Sequence, residues 1–308
     1  MVKVTGKGFI SASIIAHSKH ASTGVELITY ELEYPRFIHA EFMTHRMLSK
    51  NAASSRAIPV KAALNHIMQV PQGPIHWGKN QSSMQAKEEL SGLPLESAIG
   101  VWDAARRSAV NHATVLSQIG LHKQAANRIA EPFTQMKVVC SGTEWNNFFW
   151  LRNHEDAQPE IKELARVMLE AKQISKSVRL NIGEWHLPYI NTKNHDLLEY
   201  WSGDRQVTLD EAKKISASCC AQVSYRKNDT SIEKAIDIFD KLINSSPVHA
   251  SPVEHQATPI DLDQISLTCP DRWEELGTTH IRADGSVWCN NFRNWTQLRH
   301  FIKENTKW

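Results

Sequence analysis

Between Val25 and Tyr34 apolar residues alternate with polar ones. That is the period of a strand with one face buried, and Pro35 ends it. The apolar, β-branched stretch Phe9–Ile15 predicts a second strand nearby. Residues 38–48 read as a helix, and 71–94, with Pro and Gly at both ends, as loop. After Pro94 the positions Leu95, Ile99, Trp102, Ala105, Ala109, Ala113 and Leu116 recur at three- and four-residue steps. They predict a long amphipathic helix that Gly120 stops. Further helices are expected over 143–154 and over 159–175, the latter starting at Pro159 with Ile161, Leu164, Met168 and Ala171 on one face. The segment 176–206 reads as irregular. Thr208–Glu211 and Thr230–Glu233 have the form of capping boxes, each opening a helix. A terminal helix is expected over 291–303. Helices outnumber strands and lack a βαβ rhythm, so the fold class is α+β. A single intertwined domain over 1–308 is expected, with a weak division near 190–206.

With 308 residues the chain can bury a large core without staples. Thirty-five Lys and Arg against 33 Asp and Glu leave a net charge of +2, which argues against a dedicated nucleic-acid binder. A small anionic substrate needs only a few placed arginines. No apolar run is long enough to span a bilayer, and the start MVKVTGKGF lacks a signal peptide's apolar core. Five Cys without C-x-x-C spacing point to free thiols in a reducing cytoplasm. Gly6-Lys7-Gly8 lacks the rest of a dinucleotide fingerprint. His17 with His20, and His249 with His255, lack the further ligands of a metal site. No metal is expected.

The densest polar cluster is Thr44–Arg56, with two Arg, one His, one Lys, three Ser and one Asn in thirteen residues. A helix-like run followed by the small residues Ala52, Ala53, Ser54 and Ser55 could turn consecutive backbone N–H groups toward a phosphate, with Arg supplying a fork. A solvated, Ser-rich helix end fits the same residues. The cluster resembles the signature R-H-R-x-x-S-x-N-E-x-S-x-R of the flavin-dependent thymidylate synthases. His45, Arg46, Ser49, Asn51, Ser54 and Arg56 match it, while Thr44 stands at the first Arg and Ala52 at the Glu.

Other segments carry the same resemblance. Asn147–Arg152 and Asp156–Ala165 are similar to the family's N-F-L-x-L-R…H-A-Q-x-E-I-x-x-x-A, with Asp156 at the His. Arg128–Pro132 resembles A-R-x-x-L-P. Ala221–Tyr225 and His249–His255 resemble A-R-V-S and H-x-x-P-F-E-H, which in the family precede the signature and here follow it. Residues 30–46 resemble the segment that follows P-F-E-H there, with Glu41 at the family's Gln. The motif order is that of a circular permutation.

The resemblance implies a helix-rich α+β fold with a mixed or antiparallel sheet. It implies one-carbon transfer to C5 of deoxyuridylate, giving thymidylate in the cytoplasm. FAD is the implied cofactor, methylene-tetrahydrofolate the carbon donor and NADPH the reductant. No Cys nucleophile is then needed. It assigns Arg152 to the reacting pyrimidine, and Glu41, Ala53, Ser54, Ser55, Arg56, Arg128 and Arg152 to substrate. It assigns His45, Arg46, Asn51, Asn147 and His255 to the flavin, with no nucleic acid, no membrane and a homo-oligomer, a tetramer by resemblance. The departures at Thr44, Ala52 and Asp156 leave open a hydroxymethylated product, or a nucleotide binder without catalysis. His255 is expected within a flavin's length of His45 or Arg46, and the strand at 25–34 is expected to pair with 256–268.

Overall fold

The computed structural model describes every residue except 83, 195–197, 225–229, 266–272, 274 and 304–308. The β-branched runs near the N terminus make β1 (Val2–Thr5), β2 (Ser11–His20) and β3 (Glu26–Pro35), each antiparallel to the next. The chain then turns through α1 (His39–Met43) into β4 (Ser49–Ala52). Three helices, α2 (Val60–Gln69), α3 (Leu93–Gln118) and α4 (Lys123–Ala126), lead to β5 (Gln135–Gly142). This strand inserts between β3 and β4, giving the order β1-β2-β3-β5-β4. After α5 (Asn146–Arg152) and α6 (Pro159–Ile174), β6 (Val178–Leu180) joins the end of β2 in parallel. The sheet is therefore mixed, and the fold is α+β.

One face of this sheet lies under α6. Ile161, Leu164 and Met168 pack there with Ile28, Tyr30 and Leu32 of β3 in the main core. Tyr30 also donates its hydroxyl to the Met168 carbonyl at 3.1 Å. The period-two pattern of β3 leaves its other face polar, but the middle of that face is covered by the chain. Thr29 is fully buried, and Glu31 accepts from the Tyr189 hydroxyl at 2.7 Å and pairs with Lys137 at 3.0 Å. The cover comes from the second half of the chain. There β7 (Asn191–Lys193), β8 (Glu199–Ser202) and β9 (Arg205–Val207) form a small antiparallel sheet ahead of α7 (Leu209–Ala221) and α8 (Ile232–Ile243). Beyond them, β10 (Ala257–Pro259) precedes the small sheet of β11 (His280–Ile281), β12 (Val287–Cys289) and β13 (Phe292–Arg293). The last strand, β14 (Trp295–Gln297), pairs with β10. Leu27 of β3 packs against Leu180, Ala257, Phe292 and Trp295, which joins the two halves.

Several local expectations change. The helix expected over 38–48 stops at Met43, because the chain must return to lay β4 along β5. The segment 176–206 contains β6 to β9. Thr208 makes the expected capping box with Glu211, whereas the second helix is capped one residue later, by Ser231 accepting from the Lys234 N–H. The terminal helix over 291–303 is absent: Asn290 and Asn294 take positive φ values of 53° and 62°, and the apolar residues between and after them form β13, β14 and a short 3-10 turn at Leu298–Phe301. β3 pairs with β2 and β5, while residues 257–259 pair with β14. Residues 266–268 of that expected partner lie outside the described residues.

A polar chain runs through the junction of sheet and cover. Ser18 bonds His186 Nδ1 at 2.8 Å, His186 Nε2 bonds Thr29 at 2.8 Å, Thr29 bonds Ser141 at 2.6 Å, and Ser141 bonds His255 Nδ1 at 2.8 Å. Burial pushes the imidazoles of His186 and His255 down to about 3, with His17 and His255 adding a smaller push on His186. Unfolded, both return to about 6.5. The unfolded chain then binds more protons between those values, so the contribution is whole above about pH 6.5 and is lost as pH falls toward 3. Urea unfolding between about pH 6 and pH 4 should show stability falling with acid by about 1.4 kcal/mol per pH unit for each histidine. His186→Gln should remove one proton's share of that slope, and an unchanged slope would show that His186 is not a titrating group.

Candidate active site

The signature-like segment crosses the edge of the sheet. Its middle, residues 49–52, is the strand β4, so the expectation that 52–55 forms a helix-end nest for an anion is not met. Three backbone donors there are already engaged: Ala53 N–H on the Lys137 carbonyl at 2.8 Å, Ser54 N–H on Ser224 Oγ at 2.9 Å and Arg56 N–H on Ser54 Oγ at 3.3 Å. β4 also divides the segment. Arg46, Ser49 and Lys50 face one cavity, and Ala53 and Ser55 face another.

Arg152 lines neither cavity and bonds two residues that precede β4. It ends α5, where a cation is favoured by the helix dipole. Phe148, one turn back, packs edge-on against Phe42 of α1 at 5.8 Å and against the His45 ring at 4.9 Å. That aromatic contact aims Arg152 at both neighbours: Nε donates to His45 Nε2 at 2.9 Å, and a terminal nitrogen donates to Glu41. Lys50 donates to the His45 carbonyl. Burial first, then the Arg152 and Lys50 cations, hold the His45 imidazole down to about 4. His45 is thus neutral at pH 7 and accepts from Arg152. Thr44, at the signature's first Arg, turns its hydroxyl to the Glu41 carbonyl at 2.7 Å.

The second cluster centres on Glu131, which the sequence reading did not single out. It stands at the Leu of the motif that Arg128 opens, and its three-residue spacing from Arg128 resembles an ordinary helix ion pair. Glu131 accepts from Ser55 Oγ at 2.7 Å and from Arg128 at 3.0 Å, and pairs with Arg36 at 3.2 Å. Asn127, buried, clamps the loop by donating to the carbonyls of Ser55 and Ile58 at 2.8 and 3.0 Å. Ser55, Arg36 and Asn127 line a cavity of about 420 Å³ whose walls are mostly apolar, with Ile58, Leu64 and Met136 among them. Ser54 and Arg56 are exposed and line neither cavity.

The C-terminal motifs meet the signature directly. Asn51 donates to the Cys220 carbonyl at 2.6 Å and accepts from Ser251 at 3.4 Å. Ser224 is the partner of Ser54, while Tyr225 of that motif lies outside the described residues. Gln297 bridges Ser49 at 3.2 Å and the Glu254 carbonyl at 2.9 Å. Glu254 pairs with Arg299 and shares with Arg46 the wall of a cavity of about 1230 Å³. Segments two hundred residues apart are thus in contact. His255 itself turns inward: it is fully buried on Ser141, with Nε2 unpartnered, and lines neither cavity. Asn147 is exposed on α5 and also lines neither.

The implied flavin dinucleotide can be tested against these walls. The larger cavity exceeds the roughly 300–1,000 Å³ of ordinary small-molecule sites. Arg46, Lys50, Arg299 and Lys303 supply cations, and Asn290, Asn291 and Gln297 supply amides. That donor set fits a pyrophosphate and a polar ring edge, through Arg46 rather than through His255 or Asn147. Among the described residues no group of His, Cys, Asp and Glu could hold a metal ion. The cysteines described are buried free thiols, with burial pushing Cys140 up to about 12, so none is poised as a nucleophile. No helix among the described residues is long and apolar enough to cross a membrane.

Residues 5–175 match the sequence profile of a family described as thymidylate synthase complementing protein. A search of curated proteins returned no match. Among solved structures, the chain is similar to the UMP/dUMP methylase PolB from Streptomyces cacaoi bound with 5-Br UMP, at 15% identity and a TM-score of 0.44, over 55% of this chain and 89% of that one. The same methylase bound with 5-Br dUMP matches at 19% identity and a TM-score of 0.40, over 48% of this chain and 66% of that one.

The state of His45 is directly measurable. By NMR its ring protons should titrate near pH 4, and Arg152→Ala should raise that midpoint while leaving it below 6.5, because burial remains. A midpoint unmoved by the substitution would mean that the guanidinium does not face the ring.

Proposed function

Because the chain belongs to the family of thymidylate synthase complementing proteins, the flavin-dependent thymidylate synthases, we propose that it transfers a one-carbon unit to C5 of deoxyuridine monophosphate, forming thymidylate. The observation that carries this reading is the family match over 5–175, which takes in β2 to β5 and the clusters around Arg152 and Glu131. Methylene-tetrahydrofolate is the proposed carbon donor and NADPH the proposed reductant. When bound, FAD supplies the redox chemistry, and the protein supplies binding, orientation and charge.

The residues divide the work as follows. Arg46, Lys50, Asn291 and Arg299 hold the dinucleotide in the larger cavity. Ser55, Arg128 and Arg36 take the nucleotide phosphate beside the smaller cavity. Arg152 has one amino group left after serving His45 and Glu41, and it holds positive charge against the pyrimidine where negative charge develops. Glu41 and neutral His45 keep that guanidinium in one orientation, so no reorganisation is needed during the reaction. A homo-oligomer is part of the proposal. Val101 and Val115 on α3 and Trp150 on α5, all more than half exposed, are apolar surface that a second copy would cover.

Purified protein incubated with FAD and desalted should keep a flavin absorption spectrum. After reduction by NADPH under anaerobic conditions, its flavin should be reoxidised only when deoxyuridylate and methylene-tetrahydrofolate are both present, the electrons passing to the one-carbon unit. Arg152→Ala should lower that turnover by about a hundredfold or more with its flavin content unchanged. A colourless protein would overturn the flavoenzyme reading, and wild-type turnover in the variant would remove Arg152 from the chemistry.

A further inference from the structure

The cradle assigned above to a ligand phosphate is closed by a carboxylate of the chain itself. Glu131 lies in the 3-10 stretch Asn127–Phe133, just before Pro132, with its side chain 17% exposed. Its Oε1 takes the Ser55 hydroxyl at 2.7 Å and Arg128 at 3.0 Å, and its Oε2 takes Arg36 at 3.2 Å. Two guanidinium groups and a hydroxyl are the donors a phosphate monoester would use, because carboxylate and phosphate are both anions that take charge-assisted hydrogen bonds from Arg. The two anions cannot share the donors, since like charges at contact distance repel strongly away from bulk water.

We propose that Glu131 is a resident counter-anion of the phosphate subsite. It must swing out of the Ser55–Arg128–Arg36 cradle before a phosphate monoester binds, and so it sets how far the site prefers a nucleotide over its nucleoside. This rests on the reading that the cradle serves a nucleotide. The path for exchange is present. Ser55 and Arg36 stand on the wall of the 420 Å³ cavity, so a ligand entering there meets both donors. Arg128 is 54% exposed and can follow either anion. Asn127 holds the 55–58 loop through backbone carbonyls, independently of Glu131, so the cradle keeps its shape when the carboxylate leaves.

A purely structural Glu131 would behave differently: neutralising it would loosen the loop and leave anion binding the same or weaker. Calorimetric titrations of the wild-type protein, Glu131→Gln and Glu131→Leu with inorganic phosphate, deoxyuridylate and deoxyuridine separate the two roles. The expected result is at least tenfold tighter binding of phosphate and deoxyuridylate by Glu131→Gln, with deoxyuridine within twofold of wild type. Glu131→Asp keeps the charge but shortens its reach, and it should give an intermediate gain; it stands in if the neutral variants fail to fold by near-UV circular dichroism. Phosphate and deoxyuridylate affinities that stay level or fall in the folded variants overturn the proposal. Tighter phosphate binding with no binding of deoxyuridylate or deoxyuridine supports the counter-anion and overturns the nucleotide reading instead.

Discussion

The hydroxyl of Ser141 has one proton to give and two lone pairs to fill, and it is buried where three parts of the chain converge. It lies in register with Thr29 on one side and with Ser49 on the other, so β5 joins the long N-terminal strands to the short strand of the signature segment. Its side chain meets Thr29 and His255, and through Thr29 reaches His186. An unpaired polar group in that place would cost the desolvation of each partner left over. The polar face of β3 is therefore closed only when residues 186 and 255 are in position. That requirement ties the C-terminal cover to the sheet and, with it, Glu254 and Gln297 to the wall shared with Arg46.

Around this joint the candidate site repeats one arrangement. Arg152 is held by Glu41, Arg128 and Arg36 by Glu131, and Arg299 by Glu254. These pairs are partly exposed, and such pairs contribute little to stability. Their effect is geometric. A guanidinium fixed by a carboxylate cannot wander among its many rotamers, and a chain with a net charge of only +2 can gather several cations on its cavity walls without a large self-repulsion. The same pairing blunts each cation, so a ligand anion competes with a carboxylate for the donors.

The secondary structure that could be read along the chain was the part governed by short-range pattern. The helix around Pro94, the helix from Pro159, the strand over 25–34 and the start of the strand expected over Phe9–Ile15, which runs on to His20, follow from apolar period and helix-start residues. The Thr208 capping box is local too, and it formed as written. The misread elements are those in which a distant partner outweighed local preference. Residues 49–51 are polar and, with Ala52, lie in a Ser-rich run, yet 49–52 form a strand because β5 offers unpaired backbone groups at its edge. Trp295–Gln297 has apolar neighbours at helical steps, but β10 takes it as a strand.

By itself, the sequence determined the fold class and the family through its signature, and it brought Arg152 and His45 forward as candidates. Motif spacing records those facts because each is a property of residue types a few positions apart. Only the tertiary structure decided which face each one serves. β4 splits the signature between two cavities, His255 turns to the core, and Glu131 pairs with Arg128 and Arg36. A side chain's direction is set by the strand register and by the charge that waits opposite it, and both come from residues too far along the chain for any local pattern to contain.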